Sequence, residues 1–198
     1  MRLESVSAVP SGREKTTWHT IPNLLTAARI VMIAPFAWLC LRGYDMSALG
    51  VFLIAGVTDT VDGTLARRFN QQSKFGRLAD PLADKLLTTV AYLVLCLRAG
   101  LSAIPVWVTI AVIARDVLIL TGSLVVYAWT RSTAFKPDVF GKANTFIEIG
   151  VIVVFLVSSR LVYLGHLMTG IYILLLASLI VSTSDYLVQG LRMIRARI

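Results

Sequence analysis

Residues 59–84 read DTVDGTLARRFNQQSKFGRLADPLAD, and the interpretation of the rest of the chain follows from this stretch. Asp59 and Asp62 are three residues apart and Asp80 and Asp84 are four apart, so each pair shares one face if its segment is helical. The polar run between the pairs predicts a turn that joins two antiparallel helices. The sequence therefore predicts that the two acidic faces lie at the same level.

Four carboxylates at one level predict a cation site. They would repel one another and take up protons unless a bound cation removed the repulsion. Oxygen ligands favour Mg²⁺, Mn²⁺ or Ca²⁺ over metals that prefer thiolate or imidazole. With an arginine and two glycines nearby, four acids suit two metals that clamp a phosphate ester. Solvated loop charges are the simpler alternative, but Asp59 and Asp84 adjoin strongly apolar runs, where an unpaired charge is costly.

The spacing of this stretch, D-x2-D-G-x2-A-R-x8-G-x3-D-x3-D, resembles the signature of the CDP-alcohol phosphotransferase (CDP-alcohol phosphatidyltransferase) family, which are integral membrane enzymes of phospholipid synthesis. Residues 21–29 (IPNLLTAAR) and 79–87 (ADPLADKLL) resemble the branch that contains phosphatidylglycerophosphate synthase. Arg115-Asp116 and the stretch 136–145 resemble cardiolipin synthases of the same family, although those more often have Arg-Glu at the first site. The signature positions, all of them filled, are Asp59, Asp62, Gly63, Ala66, Arg67, Gly76, Asp80 and Asp84.

The resemblance implies roles for these residues. A hydroxyl of an acceptor alcohol would attack the lipid-side phosphorus of CDP-diacylglycerol, and CMP would leave. Two divalent cations, Mg²⁺ or Mn²⁺, would be held by Asp59, Asp62, Asp80 and Asp84. Asp84 would also take the proton of the acceptor and is the predicted catalytic residue. The predicted CDP-binding residues are Asp62, Gly63, Ala66, Arg67 and Gly76, with Arg67 on a phosphate.

The acceptor alcohol is predicted less directly. The resemblance to phosphatidylglycerophosphate synthase implies glycerol 3-phosphate, and phosphatidylglycerol, the acceptor of cardiolipin synthases, is the alternative. A basic pocket beside the metals would suit a phosphorylated acceptor. Ordinary cytoplasmic loop charges are the competing interpretation for part of this set. The candidate acceptor-binding residues are Arg29, Arg115, Arg131, Lys136 and Lys142.

Composition predicts an integral membrane protein. Of the 198 residues, 57% are hydrophobic and 15% are charged, and the mean hydropathy is +0.76, which is too apolar for an ordinary soluble domain. The net charge of +8 is scattered between apolar spans, which indicates topology signals and lipid headgroup contacts and not nucleic-acid binding. We expect membrane lipids as partners, no cleaved signal peptide, and one domain over residues 1–198.

Six apolar runs predict an all-α fold of six transmembrane helices, preceded by a cytoplasmic or interfacial segment over residues 1–22. Thirteen of the 19 lysines and arginines fall on one side of these spans and three on the other, so both termini and the acidic site are expected to face the cytoplasm. The expected location is a bacterial inner (plasma) membrane, and the resemblance implies a homodimer. The predicted spans are about 23–41, 46–68, 77–97, 106–129, 143–157 and 166–187.

An ion-coupled transporter is the alternative from another class, because carboxylates within a membrane also line ion and proton pathways. Such a pathway predicts acids near the middle of the membrane or on both sides of it, and duplicated halves in the sequence. Here the four acids fall near one side, and the chain has no detectable internal repeat. The pattern therefore favours an enzyme.

Overall fold

Six α-helices account for nearly all of the part of the chain that the structure describes. This computed structural model describes residues 21–68, 76–98, 102–130 and 139–195, and no strand occurs in them. The N-terminal segment predicted to be interfacial lies outside these ranges except for the first two residues of the first helix. The helices are α1 (Ile21–Leu41), α2 (Asp45–Arg68), α3 (Gly76–Cys96), α4 (Val106–Thr130), α5 (Val139–Ser158) and α6 (Val162–Arg195).

The predicted spans match these helices closely in α1 to α4 and less closely afterwards. α5 begins at Val139, earlier than the predicted start near residue 143. α6 extends over 34 residues, to Arg195, whereas the apolar pattern predicted an end near residue 187. At 1.5 Å per residue α6 is about 51 Å long, well beyond a hydrocarbon core of roughly 30 Å. Its last turns continue because residues such as Leu191, Arg192 and Met193 support a helix in water as well as in lipid.

Three helices are long and apolar enough to cross a membrane. The candidate spans are Val106–Ser123 in α4, Gly141–Ser158 in α5 and Tyr163–Arg192 in α6. Within the residues searched, α1, α2 and α3 carry shorter apolar stretches. Large apolar side chains are exposed on the outside of the bundle, among them Trp107, Ile110, Leu167 and Ile180. An apolar surface of this kind suits lipid rather than water.

The helices form one bundle in which α2 and α3 share neighbours. Each of these two helices packs against α1 and against α5, while α6 packs against α4 and α5. Apolar side chains from all six helices fill the interior. The largest that are fully buried include Phe36, Tyr92, Leu95, Ile152 and Leu175.

The turn from α1 to α2 is a glycine-capped helix end. Gly43 has a φ of 76°, the left-handed conformation that glycine adopts without steric strain. The backbone N–H of Tyr44 donates to the carbonyl of Leu39 (2.9 Å), and that of Gly43 donates to Cys40 (3.1 Å). These two bonds are the Schellman pattern, which satisfies the last carbonyls of α1 and turns the chain into α2.

A buried ion pair closes the same end of the bundle. Nη2 of Arg98, just after α3, lies 2.8 Å from Oδ1 of Asp45, the first residue of α2. The Arg98 side chain is only 2% exposed, so its charge is paired inside the bundle. The pair holds the end of α3 beside the start of α2. α2 begins at this pair and α3 ends beside it, so the end of α2 and the start of α3 both lie away from it.

Candidate active site

The acidic stretch maps onto the end of one helix and the start of the next. Asp59 and Asp62 belong to the last ten residues of α2, and Asp80 and Asp84 belong to the first half of α3. The Arg98–Asp45 pair lies at the other end of these two helices. The motif thus occupies the end of α2 and the start of α3, and the expectation that its two acidic faces lie at the same level stays a prediction. The residues between the halves, 69–75, lie outside the described ranges.

The side chains of the motif are not among those that the structure describes. This applies to all four aspartates, to Arg67 and to Arg29 of α1. Their assignment to cations, CDP or an acceptor stays a prediction, as does that of Gly63, Ala66 and Gly76, whose positions in α2 and α3 are given by the backbone alone. The chemistry of the donor set fits the predicted cations, since four carboxylates supply the oxygen ligands that Mg²⁺ and Mn²⁺ prefer.

Of the predicted acceptor residues, the structure describes the side chains of Arg115 and Lys142. Arg131 and Lys136 lie outside the described residues. Lys142 is exposed in the first turns of α5. Arg115, by contrast, is 7% exposed in the middle of α4 and is engaged by other side chains of the bundle. Acceptor binding by these residues remains a prediction, and Arg115 is the one whose surroundings the structure describes in detail.

Arg115 belongs to a set of buried polar side chains that joins four helices. We call this set the buried polar cluster; it consists of Lys85 on α3, Arg115 and Asp116 on α4, Asn144 and Glu148 on α5, and Ser178 and Ser182 on α6. Its first member directly follows Asp84 in the sequence. The cluster therefore lies next to the acidic motif along α3.

Lys85 is the link between α3 and the two neighbouring helices. Its Nζ lies 2.9 Å from Oδ1 of Asp116 and 3.0 Å from Oε2 of Glu148, to which it donates a hydrogen bond. The Lys85 side chain is 24% exposed, whereas those of its two partners are 7% and 0% exposed. Lys85 thus neutralises two acids from α4 and α5, and its charge is committed to them.

Arg115 completes the charge balance. Its Nη1 donates to Oδ1 of Asp116 (2.9 Å) and lies 4.0 Å from Oε1 of Glu148, and its Nη2 donates to Oγ of Ser182 (2.7 Å). Lys85 and Arg115 supply two positive charges, and Asp116 and Glu148 supply two negative ones. Buried ions require such pairing, because an unpaired charge in the interior costs several kcal/mol.

Glu148 receives contacts from three helices and has no exposed surface. Besides Lys85 and Arg115, Nδ2 of Asn144 donates to its Oε1 (2.5 Å), one helical turn earlier on α5. The amide oxygen of Asn144 in turn accepts a hydrogen bond from the hydroxyl of Ser178 on α6. The hydroxyl of Tyr92 on α3 donates to the backbone carbonyl of Glu148 (3.0 Å). Glu148 is thus the centre of the cluster.

Of these residues, the sequence pattern gave a candidate role only to Arg115, as a possible acceptor-binding residue. The signal that was available is their spacing: Asn144 and Glu148, and Ser178 and Ser182, each stand four residues apart on one face of an apolar helix. Arg115 and Asp116 are neighbours, and the sequence did not require them to pair, yet they do. The sequence pattern did not predict which residues on other helices these side chains contact.

Comparisons with known proteins agree with the motif. The family model for CDP-alcohol phosphatidyltransferase matches residues 19–196. A cardiolipin synthase (CMP-forming) of Streptomyces coelicolor is 38% identical over 136 residues, which cover 64% of this chain and 60% of that protein. The cardiolipin synthase (CMP-forming) of Rattus norvegicus is 34% identical over 73% of this chain and 52% of its own length.

A relative that is named for a different acceptor has a similar sequence identity to this chain. The CDP-diacylglycerol–glycerol-3-phosphate 3-phosphatidyltransferase of Bacillus subtilis is 35% identical over 144 residues, covering 65% of this chain and 72% of that protein. The chain spans about half to three fifths of the length of the cardiolipin synthases that it matches. Because the family model covers almost all of the sequence, including the acidic motif on α2 and α3, the chain belongs to the CDP-alcohol phosphatidyltransferase family.

Proposed function

We propose that the chain is a metal-dependent enzyme of phospholipid synthesis that transfers a phosphatidyl group from CDP-diacylglycerol to the hydroxyl of a glycerol-containing acceptor and releases CMP. One observation carries the proposal: every position of the eight-residue family motif is filled, with its two halves on the end of α2 and the start of α3. The family match over residues 19–196 supports the same reaction class.

In this proposal the residues of the chain divide the work. Asp59, Asp62, Asp80 and Asp84 would hold two divalent cations, Mg²⁺ or Mn²⁺, which when bound would neutralise charge on the transferred phosphoryl group. Arg67 offers a planar fork of donors for phosphate oxygens. The remaining positions of the CDP site, Gly63, Ala66 and Gly76, are small and leave room for the donor.

The reaction is an exchange of one P–O bond for another. Asp84 accepts the proton of the acceptor hydroxyl, because a carboxylate near the reacting oxygen is a suitable base. The hydroxyl oxygen then forms a bond to the lipid-side phosphorus. The bond from that phosphorus to the bridging oxygen of the diphosphate breaks, and CMP leaves with that oxygen. Only donor and acceptor are consumed, and Asp84 is regenerated when its proton passes to the departing CMP or to solvent.

Phosphatidylglycerol is the acceptor that the observations favour. The relatives from S. coelicolor and R. norvegicus are both named cardiolipin synthase (CMP-forming). In addition, the charge of Arg115 is balanced within the buried polar cluster, so this residue offers little free positive charge to the phosphate of a small acceptor. Glycerol 3-phosphate, the first choice from the sequence, remains the second candidate because the B. subtilis relative is named for that acceptor.

We further propose that all six helices span the membrane, with the acidic end of the bundle and both termini on the cytoplasmic side of a bacterial plasma membrane. The distribution of lysines and arginines between the spans supports this orientation. The three long apolar helices and the apolar outer surface support insertion. The proposed working form is a homodimer, as the resemblance to the family implies.

The test is CMP release by the purified full chain in detergent with CDP-diacylglycerol and Mg²⁺ or Mn²⁺. Phosphatidylglycerol and glycerol 3-phosphate are supplied in separate reactions, and lipid products are identified by mass spectrometry. We expect CMP and cardiolipin with phosphatidylglycerol, no CMP after chelation of the metal, and none from Asp84→Asn. Phosphatidylglycerophosphate as the product would assign the second acceptor. No CMP with either acceptor would contradict the proposal.

A further inference from the structure

Among the described residues, two polar contacts join α3 to α5, and both involve Glu148. Nζ of Lys85 lies 3.0 Å from the Glu148 carboxylate, and the hydroxyl of Tyr92 donates to the Glu148 carbonyl at 3.0 Å. Lys85 and Tyr92 are seven residues apart, which is close to two helical turns, so they lie on the same face of α3. Two anchors on one face, both held by one buried residue, define the rotation of α3 about its axis and its position along α5.

The rotation of α3 matters because Asp80 and Asp84 belong to the turns that immediately precede Lys85. A side chain on a helix reaches about 5 Å from the axis, so a rotation of about 10° moves its end by roughly 0.9 Å. Groups that bind metals or react tolerate a displacement of only about 0.5 Å. A rotation of α3 too small to disturb the packing of the bundle would therefore disturb a site built on its first turns.

The charges of the cluster suit this role better than apolar residues would. Lys85 lies between Asp116 at 2.9 Å and Glu148 at 3.0 Å, so it contacts α4 and α5 simultaneously. A buried ionic network of this kind stabilises a protein no more than well-packed apolar side chains of equal volume. Its contacts are, however, directional, and they are lost when the helix rotates.

We propose that Lys85 and Glu148 are positioning residues, which together with Tyr92 set the rotation of α3 and thereby present Asp80 and Asp84 to the cations and the acceptor. This inference rests on the proposed function. It assigns to the cluster a geometric role in the reaction, separate from its contribution to folding. Lys85 acts through the helix that it holds and does not contact the reacting atoms.

The test compares variants of Lys85 and Tyr92 with a control variant at the ion pair that follows α3. Lys85→Gln removes the charge that contacts both acids, and Tyr92→Phe removes only a hydroxyl. Lys85→Arg is the conservative variant. Asp45→Asn is the matched control, since it weakens a buried ion pair at the far end of the same helix. For each variant, the folded fraction is measured by gel filtration in detergent and by thermal unfolding, and all values are expressed per folded protein.

Two measurements report on geometry. Binding of Mn²⁺ without substrate, followed by the electron paramagnetic resonance signal of free Mn²⁺, is expected to weaken about tenfold in Lys85→Gln, the range found when groups that orient metal ligands are removed. kcat is expected to fall about 10–100-fold while KM for CDP-diacylglycerol changes less than about threefold. Tyr92→Phe should show the same split with a smaller fall, and Lys85→Arg should retain most of the activity and Mn²⁺ affinity.

The control separates this inference from the proposed function and from a purely structural role. Asp45→Asn is expected to unfold at a lower temperature with unchanged kcat and Mn²⁺ affinity per folded protein. An active wild type whose Lys85→Gln and Tyr92→Phe variants keep kcat and Mn²⁺ affinity would overturn the positioning role and leave the function intact. Equal losses in Asp45→Asn would overturn it as well. If Lys85→Gln does not fold, Tyr92→Phe and Lys85→Arg decide the matter. A wild type that releases no CMP would contradict the proposed function itself.

Discussion

Two positive charges, Lys85 near the middle of α3 and Arg98 just after its end, are paired with acids in different ways. Beyond the last turn, Arg98 pairs with a single partner, Asp45, and joins two connections of the bundle. Nine residues into the helix, Lys85 contacts two acids on two other helices and belongs to a cluster that reaches α6. Only the Lys85 site follows the family motif directly along α3. If the proposed positioning role is correct, buried charge in this fold serves two purposes: the Arg98–Asp45 pair stabilises the bundle, and the Lys85 site aligns the motif.

The largest expected effect comes from the motif itself. Asp80→Asn keeps the size of the side chain but removes a charged ligand, so CMP release should fall at least about 10³-fold, on the order of 4 kcal/mol of transition-state stabilisation. The variant should insert and migrate on gel filtration like the wild type. Asp59→Asn is expected to behave in the same way. Full activity in either variant would show that the assigned cation site is wrong.

The next effect tests the Lys85 site through Glu148, the residue at the centre of the buried polar cluster. Glu148→Leu leaves Lys85 and Arg115 with one acid between them, so the free energy of unfolding should fall by about 3 kcal/mol, measured by reversible unfolding in SDS–detergent mixtures. Adding Lys85→Met should recover much of this stability, because the pair is then replaced by apolar side chains.

Transfer activity provides the second reading of this double variant. We expect that activity per folded protein is not recovered together with stability, since the apolar pair holds no defined rotation of α3. Recovery of both quantities would mean that the Lys85–Glu148 pair, like the Arg98–Asp45 pair, contributes only to folding.

The charge of Arg98, which pairs with Asp45, is expected to affect stability alone. Arg98→Met leaves Asp45 without its partner in a mostly buried position, its side chain being 11% exposed. We expect a decrease of about 2–3 kcal/mol in the free energy of unfolding, the lower end of the range for a broken buried pair because Asp45 retains some solvent and the favourable start of α2. CMP release per folded protein should match the wild type. A tenfold loss of activity in this variant would show that the Arg98–Asp45 pair also affects the active site, as the Lys85–Glu148 pair is proposed to do.

The smallest expected effect concerns the backbone of the turn from α1 to α2, which directly precedes Asp45. Gly43→Ala places a Cβ on a residue with φ 76°, which should lower the free energy of unfolding by about 1 kcal/mol and leave activity unchanged. Gly150→Ala on α5 is a suitable control, because nothing lies within 4 Å of the position of its added Cβ. No loss, or a gain, is expected there. Equal losses in the two variants would show that the turn contributes nothing specific.

Much of the architecture could be predicted from the sequence. The starts and ends of α1 to α4 follow from apolar runs interrupted by glycine, proline and charged residues, which act locally. The end of α6 at Arg195 was not predicted, because the strongly apolar run ends near residue 187 while the residues after it still favour a helix. The eight motif residues could be named because their spacing is fixed, although the contacts of their side chains stay predictions.

What the sequence determined by itself is the class of fold, the position of each helix and the family, since all three depend on local patterns: the length of apolar runs and the spacing of a few acids. What only the tertiary structure decided is the set of partners of the buried charges. Lys85 and Glu148 are 63 residues apart, and Arg115 and Ser182 are 67 apart. No periodicity within one helix specifies which face of another helix it meets. The pairing follows from the packing of the whole bundle, which must neutralise each buried charge.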